Sequence, residues 1–363
     1  MSDRCEKLQL VRAGSCLLLI LLVLPLVAQA TPPERDQPRF PPGAIWNQDI
    51  SGVTPDANSA TMIAASVAWN EDALHSTIFQ IDFSMHILYT SWGTNTTVPL
   101  VKKIGYYNGE CDTGYSVPLP DVGAIEGETD YTCPDNGDCH LFIVNGSTLF
   151  ETYSTFVDSS GLHALCLLKW HLNDVYPANG RGDRCTSADA AGFPMAPLIT
   201  TADEVWHAIP ANGGSGNLGH ALRFILQNDR MRPGFYVHPA THSGVPDGSG
   251  PANAIVYGSR LRLQSGFNET SYNAAAKVIL ETLKKYGMFL SDGGGIPLTF
   301  SDDMFTTHKW SDADINIDSH SLFGPKLESF DVMPLGTLVA YSGNNTDCVR
   351  NPDDVIFADG YNW

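Results

Sequence analysis

Apolar and polar residues alternate on a two-residue period from Phe79 to Leu88 and again from Leu141 to Phe156. In the second run, Asn145-Gly146 separates Leu141-Phe-Ile-Val144 from Thr148-Leu-Phe-Glu-Thr-Tyr153. Successive side chains of a strand point to opposite faces, and Asn-Gly favours the positive φ of a tight turn, so the pattern predicts a β-hairpin. Further strands are expected around residues 220, 235, 255–263, 297 and 336–341, joined by turns that 33 glycines and 23 prolines can supply. One stretch has the 3.6-residue period instead. Between Ser271 and Leu290, residues Ala275, Val278, Ile279, Leu283 and Tyr286 fall on one helical face, with Lys277, Glu281, Lys284 and Lys285 opposite. Gly287 or the Gly293–Gly295 run would end that helix, and Thr201 or Asp203 could cap a short one. Many strands and few helices predict a mainly β fold, a two-sheet β-sandwich of jelly-roll type with one or two packed helices.

The N-terminus follows a different logic. Arg4, Lys7 and Arg12 precede an apolar run from Cys16 to Val27, and Ala28-Gln29-Ala30 follows as a small-x-small cleavage site. The run is shorter than the roughly 18 residues of a membrane span, so residues 1–30 are expected to be a secretory signal peptide. Residues 31–42 then form a Pro-rich tail, and 43–363 a single β-rich secreted domain without a membrane span. Export agrees with the cysteines, since six remain beyond the signal. Six cysteines allow 15 pairings. The local choices are Cys133 with Cys139 and Cys166 with Cys185, which leaves Cys111 for Cys348. Sequons at Asn95, Asn145, Asn268 and Asn344 mark exposed loops and glycosylation sites in a eukaryotic host. A net charge of -19 repels phosphate and excludes nucleic acid as a partner.

Against that acidic background, five arginines, with three histidines and two tyrosines, lie between residues 220 and 262. This is where chemistry is expected. The strings Thr186-Ser-Ala-Asp-Ala-Ala-Gly-Phe-Pro-Met195, Asp203-Glu204, His220-Ala-Leu-Arg-Phe224, Tyr236-Val-His-Pro-Ala-Thr-His242 and Tyr286-Gly-Met-Phe-Leu-Ser-Asp-Gly293 occur here in order. Together they resemble a family of secreted, mainly bacterial proteins, from about Pro42 to Leu335. The resemblance implies a shared exported domain and no particular activity.

Two chemistries fit these residues. Tyr236 and His238 lie two apart on a strand, with His242 just beyond, while Arg260 and Arg262 share a strand face. A Tyr and His base beside Arg223, Arg260 and Arg262 suits β-elimination on a uronate polymer, in which cations stabilise the developing enolate. Strict alternation puts His220 and Arg223 on opposite faces, so the whole set cannot converge. Glycosidic hydrolysis instead needs paired carboxyl groups. Glu126, Glu128 and Asp130 alternate along one segment, and Asp189 and Asp292 lie within the family-like strings. Asp135-Asn-Gly-Asp138 has the oxygen donors of a calcium loop but lacks the distal glutamate of an EF-hand. No Gly-x-Ser-x-Gly elbow or His-Glu-x-x-His motif is present.

The sequence thus predicts a secreted carbohydrate-active enzyme, a lyase or glycoside hydrolase on an extracellular polysaccharide, acidic polymers included. Its catalytic candidates are Tyr236, His238, His242, Arg223, His220 and Asp189, and its substrate-binding candidates are Arg260, Arg262, Glu126 and Asp292. A non-catalytic glycan-binding or cell-surface recognition domain, and a metal-dependent enzyme using His220, His238 and His242, are the alternatives.

Overall fold

The computed structural model describes residues 37–68, 79–134, 137–211, 215–245, 250–343 and 347–351. The signal peptide, the first part of the Pro-rich tail and the sequon at Asn344 lie outside them. Among the described residues the fold is mainly β, with several sheets and three α-helices: α1 (Ser59–Ala68), α2 (Ala202–Ala208) and α3 (Ala274–Lys285). No helix among the described residues is long and apolar enough to cross a membrane.

The largest sheet has six strands in the order Ile81–Met85, Leu298–Ser301, Leu222–Leu226, Met288–Gly293, Arg260–Leu263 and Phe330–Val332. It is mixed. The first pair and the Leu222–Leu226 and Met288–Gly293 pair are parallel, and the remaining neighbours are antiparallel. Its register places Asp82 opposite Thr299 and Phe224 opposite Leu298, so Asp82, Thr299 and Arg223 lie in one row across three strands.

The predicted hairpin forms, with Leu141–Asn145 paired to Thr148–Tyr153 around Gly146-Ser147. Gly146 adopts φ +61 at the first central position, the conformation a type II′ turn reserves for glycine. The hairpin belongs to a four-stranded sheet with Ile87–Tyr89 and Cys166–His171. Its strands are buried on both sides: Leu141 and Ile143 enter one apolar core, Phe142 and Val144 the other. The smaller core is shared with Val117 and Leu162, from a second four-stranded sheet formed by Ser116–Pro120, Asn95–Lys102, Gly161–Ala164 and Phe156–Asp158. The larger core joins the hairpin sheet to the six-stranded sheet through residues such as Trp170, Phe193 and Phe289.

Helix α3 buries Ala275, Val278, Ile279 and Leu283 as the 3.6-residue pattern requires, and the Asn273 side chain caps it by accepting the Ala276 N–H at 2.8 Å. It ends at Lys285, before the predicted Leu290, because Gly287 turns at φ +67 against the Leu261 carbonyl and the chain enters the strand Met288–Gly293. The short helix also forms, as α2, capped by Thr201 accepting the Glu204 N–H at 3.2 Å.

Three disulfides join Cys133 to Cys139, Cys111 to Cys166 and Cys185 to Cys348. Such a set is compatible with an extracellular protein. The first is the predicted local pair, and the other two correct the expected pairing. Tyr107 N–H and Asp112 N–H donate to Leu165 and Leu167 carbonyls, which lays Cys111 beside Cys166. Antiparallel pairing of Gly182–Asp183 with Val349–Arg350 likewise brings Cys185 to Cys348.

Candidate functional site

Arg223 lies at the centre of the six-stranded sheet and is buried. One terminal nitrogen donates to Asp189 Oδ1 at 2.7 Å and the other to Thr299 Oγ1 at 2.9 Å. Asp189 arrives on the 186–193 loop, which shapes itself: Ser187 Oγ accepts the Asp189 N–H at 2.9 Å and donates to the Phe193 carbonyl at 2.6 Å. The loop is fixed to the sheet where Ala191 N–H donates to the Ser291 carbonyl at 2.8 Å. Buried Asp189 Oδ2, Arg223 Nε and the Tyr257 hydroxyl have no protein hydrogen-bond partner. Such atoms carry a desolvation penalty that a folded protein rarely leaves unanswered.

Four further acids surround this core. Burial raises the carboxyl of Asp292, at the end of the neighbouring strand, above its ordinary range, while Arg223 and the Gly293 N–H oppose the rise. Asp82 is raised by burial and by nearby Glu126, with Ser84 opposing at 2.6 Å. Asp189 is pushed up to about 7 by burial, with Arg223 opposing. Glu126 is the exception. Burial would raise it, but His140 Nδ1 at 2.7 Å, the His140 N–H at 3.0 Å and the Arg223 charge hold it at about 2. Burial would lower His140, but Glu126 and the Ala188 carbonyl at 2.9 Å lift it to about 9. Asp138 acts on His140, Tyr153 and Asp292, and so completes the set. Asp82, Glu126, Tyr153 and Asp292 are half-buried and Asp138 is exposed, so the cluster reaches solvent.

Of the residues predicted from sequence, Arg223, Asp189, Asp292 and Glu126 therefore meet at one place. Tyr236 and His238 form a separate group, in which both contact Asp183 Oδ1, Tyr236 donating at 3.0 Å and His238 Nε2 lying at 2.7 Å. His242 takes a third position, with Nδ1 2.7 Å from the Ala190 carbonyl and Nε2 bonded to the Tyr341 hydroxyl. Burial pushes His242 down to about 4. His220 is elsewhere again, 3.3 Å from Glu204, which Arg39 also pairs. The three histidines thus have separate partners and do not converge on a metal. Among the described residues no group of three or more His, Cys, Asp or Glu side chains could hold one. Asp135, half of the calcium-loop pattern, lies outside those residues.

Arg260 and Arg262, expected to bind substrate, bond to backbone carbonyls in this structure. Arg260 donates to the carbonyls of Tyr286, Ile45 and Gln48, and Arg262 to those of Ile50, Ser51 and Val53. They share a strand face as alternation required, and that face binds the 45–53 segment instead of a ligand. His140 and Asp82 escape sequence reasoning because each is isolated in a run with no motif spacing, while Asp138 is legible only as a calcium-loop donor and Tyr257 only as one of two tyrosines between residues 220 and 262. Asp183 is signalled only by its place between Arg181 and Arg184.

Comparison with family models, curated proteins and solved structures finds no match, so function must be argued from the site itself.

Proposed function

We propose that the protein is a secreted glycoside hydrolase whose acid and base are Asp292 and Glu126. One observation carries this reading: two half-buried carboxyl groups face the same guanidinium, and their surroundings shift them in opposite directions, Glu126 down and Asp292 up. Opposed carboxyl groups are what glycosidic cleavage requires, one giving a proton to the leaving oxygen and the other acting as base or nucleophile. Asp292, whose carboxyl burial shifts upward, is the proton donor. Glu126, held ionised by His140, is the base or nucleophile. Arg223 and Asp189 are positioning residues that fix the field between them, and half-buried Tyr153 offers a ring on which a sugar can stack.

The family-like strings support the same location, since Asp189, Arg223 and Asp292 come from three of them. A lyase is less well supported, because the arginines that would stabilise an enolate at Tyr236 and His238 are bound to backbone carbonyls. A jelly-roll sandwich and a shared ancestry with the secreted bacterial family remain part of this proposal.

The test is release of reducing ends from a polysaccharide panel. Asp292→Asn and Glu126→Gln, each folded by circular dichroism, should each lower turnover by about 10²-fold or more, the usual loss on removing a general acid or base. Full activity in either variant, or unsaturated products in place of new reducing ends, overturns the assignment. Saturable glycan binding without turnover in the unmodified protein would favour a recognition domain.

A further inference from the structure

Beyond Ser84, whose carbonyl accepts the Gly127 N–H at 2.9 Å, the chain leaves the Glu126 region and enters a pocket. His86, Tyr89, Trp92, Asp302, Phe305 and Gln37 line it. The pocket has about 390 Å³ of empty space with its open mouth counted, and little of that is enclosed, so it admits the edge of a ligand and not a whole molecule. Aromatic rings form much of its wall. The Trp92 ring lies 4.9 Å from that of Tyr89 and 6.1 Å from that of Phe305, and Phe305 stands edge-on to His86 at 5.4 Å. Trp92 and Phe305 are half-buried.

The polar groups of the wall are incomplete. His86 is 4 % exposed, and its Nε2 lies 3.1 Å from the Glu128 carbonyl. A carbonyl only accepts, so Nε2 carries the proton and Nδ1 is a bare acceptor. Burial pushes His86 below its ordinary value against the pull of Asp302, so the ring is uncharged at neutral pH. Nδ1 has no hydrogen-bond partner and lies 3.7 Å from Asp302 Oδ1, which places two acceptors side by side without a donor. The Asp302 side chain is 34 % exposed, so the unpartnered edge of His86 is turned toward the mouth. Trp92 Nε1, a donor, and Gln37 Oε1, an acceptor, are buried in the same wall and also lack partners. This mixture selects among ligand groups. An ammonium only donates and leaves the indole N–H unanswered, a carboxylate only accepts and is repelled by Asp302, and a hydroxyl does both.

We propose that this pocket is a saccharide subsite that takes the edge of a neutral sugar ring bearing adjacent hydroxyls. One hydroxyl donates to His86 Nδ1 and its neighbour to Asp302, Trp92 Nε1 donates to a sugar oxygen, and the apolar face of the ring packs on the aromatic wall. The inference rests on the glycoside hydrolase reading for its place in a longer chain. Hydrogen bonds from Gly127 to Ser84 and between His86 and Glu128 set the subsite beside Glu126, where it holds a unit of the glycan next to the cleaved bond.

Isothermal titration of the whole protein with neutral hexasaccharides of glucose, mannose and galactose tests this, with an oligogalacturonate and the fully O-methylated form of the tightest binder alongside. At least one neutral hexasaccharide should bind, and its methylated form should bind about tenfold or more weakly, because the acceptors of the wall lose their donors. Asp302→Asn keeps an acceptor for the Met304 N–H at 2.6 Å but removes the charge, and should weaken binding about tenfold. Trp92→Phe keeps a ring and removes the indole donor, and should weaken binding several-fold. Both variants are checked for folding by circular dichroism. No binding of any neutral hexasaccharide, equal affinity for the methylated form, tighter binding of the oligogalacturonate, or unchanged affinity in both folded variants overturns the inference. Binding that the two variants weaken, without release of reducing ends by the unmodified protein, would overturn the catalytic reading alone. Release of reducing ends with affinity unchanged in both variants would overturn this one alone.

Discussion

Replacing Glu126 by glutamine tests the electrostatics of the site independently of any substrate. The amide keeps the shape of the carboxylate and can still accept from the His140 backbone, so the change removes little besides charge. It leaves His140, 6 % exposed, without its counter-ion. Lifting a histidine from its ordinary 6.5 to about 9 corresponds to about 3 kcal/mol of preference for the charged ring. Breaking a fully buried pair typically costs about 3–5 kcal/mol, and the 19 % exposure of the Glu126 side chain argues for less, so about 2–3 kcal/mol is expected. The same interaction lowers Glu126 and raises His140, and it is counted once. For a chain of this size the loss corresponds to about 3–4 °C in Tm.

The pH dependence is the sharper test. The stabilisation is complete where Glu126 is ionised and His140 protonated in folded and unfolded chains alike, between about pH 4.5 and 6.5. It is lost as pH rises through about 9, where folded His140 gives up its proton, and as pH falls through about 2, where Glu126 gains one. Denaturant unfolding of both proteins at pH 6 and pH 9.5 should therefore show a gap of about 2–3 kcal/mol that narrows to under about 1 kcal/mol. A gap that stays constant across this range would mean that the loss is steric, and the ion-pair argument would fail. A double-mutant cycle with His140→Gln should return most of the gap as coupling between the two residues.

Glu151→Ala should be among the most destabilising single changes, because Glu151 is fully buried and accepts from Met195 N–H at 2.8 Å, Ala196 N–H at 2.7 Å and Trp170 Nε1 at 2.9 Å. Three stranded donors at about 1–3 kcal/mol each predict a loss above about 3 kcal/mol by chemical denaturation, and a loss under 1 kcal/mol would contradict it. Non-reducing peptide mapping should recover Cys111–Cys166 and Cys185–Cys348 linked peptides, and a Cys166–Cys185 peptide would refute the pairing described above. Arg260→Lys should lower stability by about 1–3 kcal/mol through carbonyls left unpaired, yet leave glycan turnover unchanged, whereas a selective loss of turnover would return Arg260 to the site.

The local parts of the fold were legible because local rules decide them. The hairpin follows from alternation and an Asn-Gly turn, and α3 follows from its apolar stripe and the cap and glycine at its ends. The arrangement of sheets was less legible: Leu141 to Val144 is apolar throughout, which marks a strand buried on both faces but does not say which elements cover it. Here one face meets each of two cores, and the strands fall into several sheets. The disulfides failed for a related reason. Sequence separation favoured Cys166 with Cys185, but strand pairing over a separation of 163 residues brings Cys185 to Cys348.

The arginines show why residue type alone misplaced the site. Arg223, Arg260 and Arg262 look equivalent on paper, all on strands in the most basic part of an acidic chain. Arg260 and Arg262 spend their donors on backbone carbonyls, five of them in the 45–53 segment and one at Tyr286. A charge neutralised by main chain in this way has little left to offer a ligand. Arg223 keeps a buried Nε without a protein partner, and its neighbours Asp189 and Tyr257 keep a carboxylate oxygen and a hydroxyl in the same condition, all three beside acids that reach solvent. Leaving such groups unpaired is unfavourable to folding, and structural networks normally remove the penalty by saturating every donor and acceptor. This difference in hydrogen bonding, which depends on contacts far apart in sequence, separates Arg223 from Arg260 and Arg262.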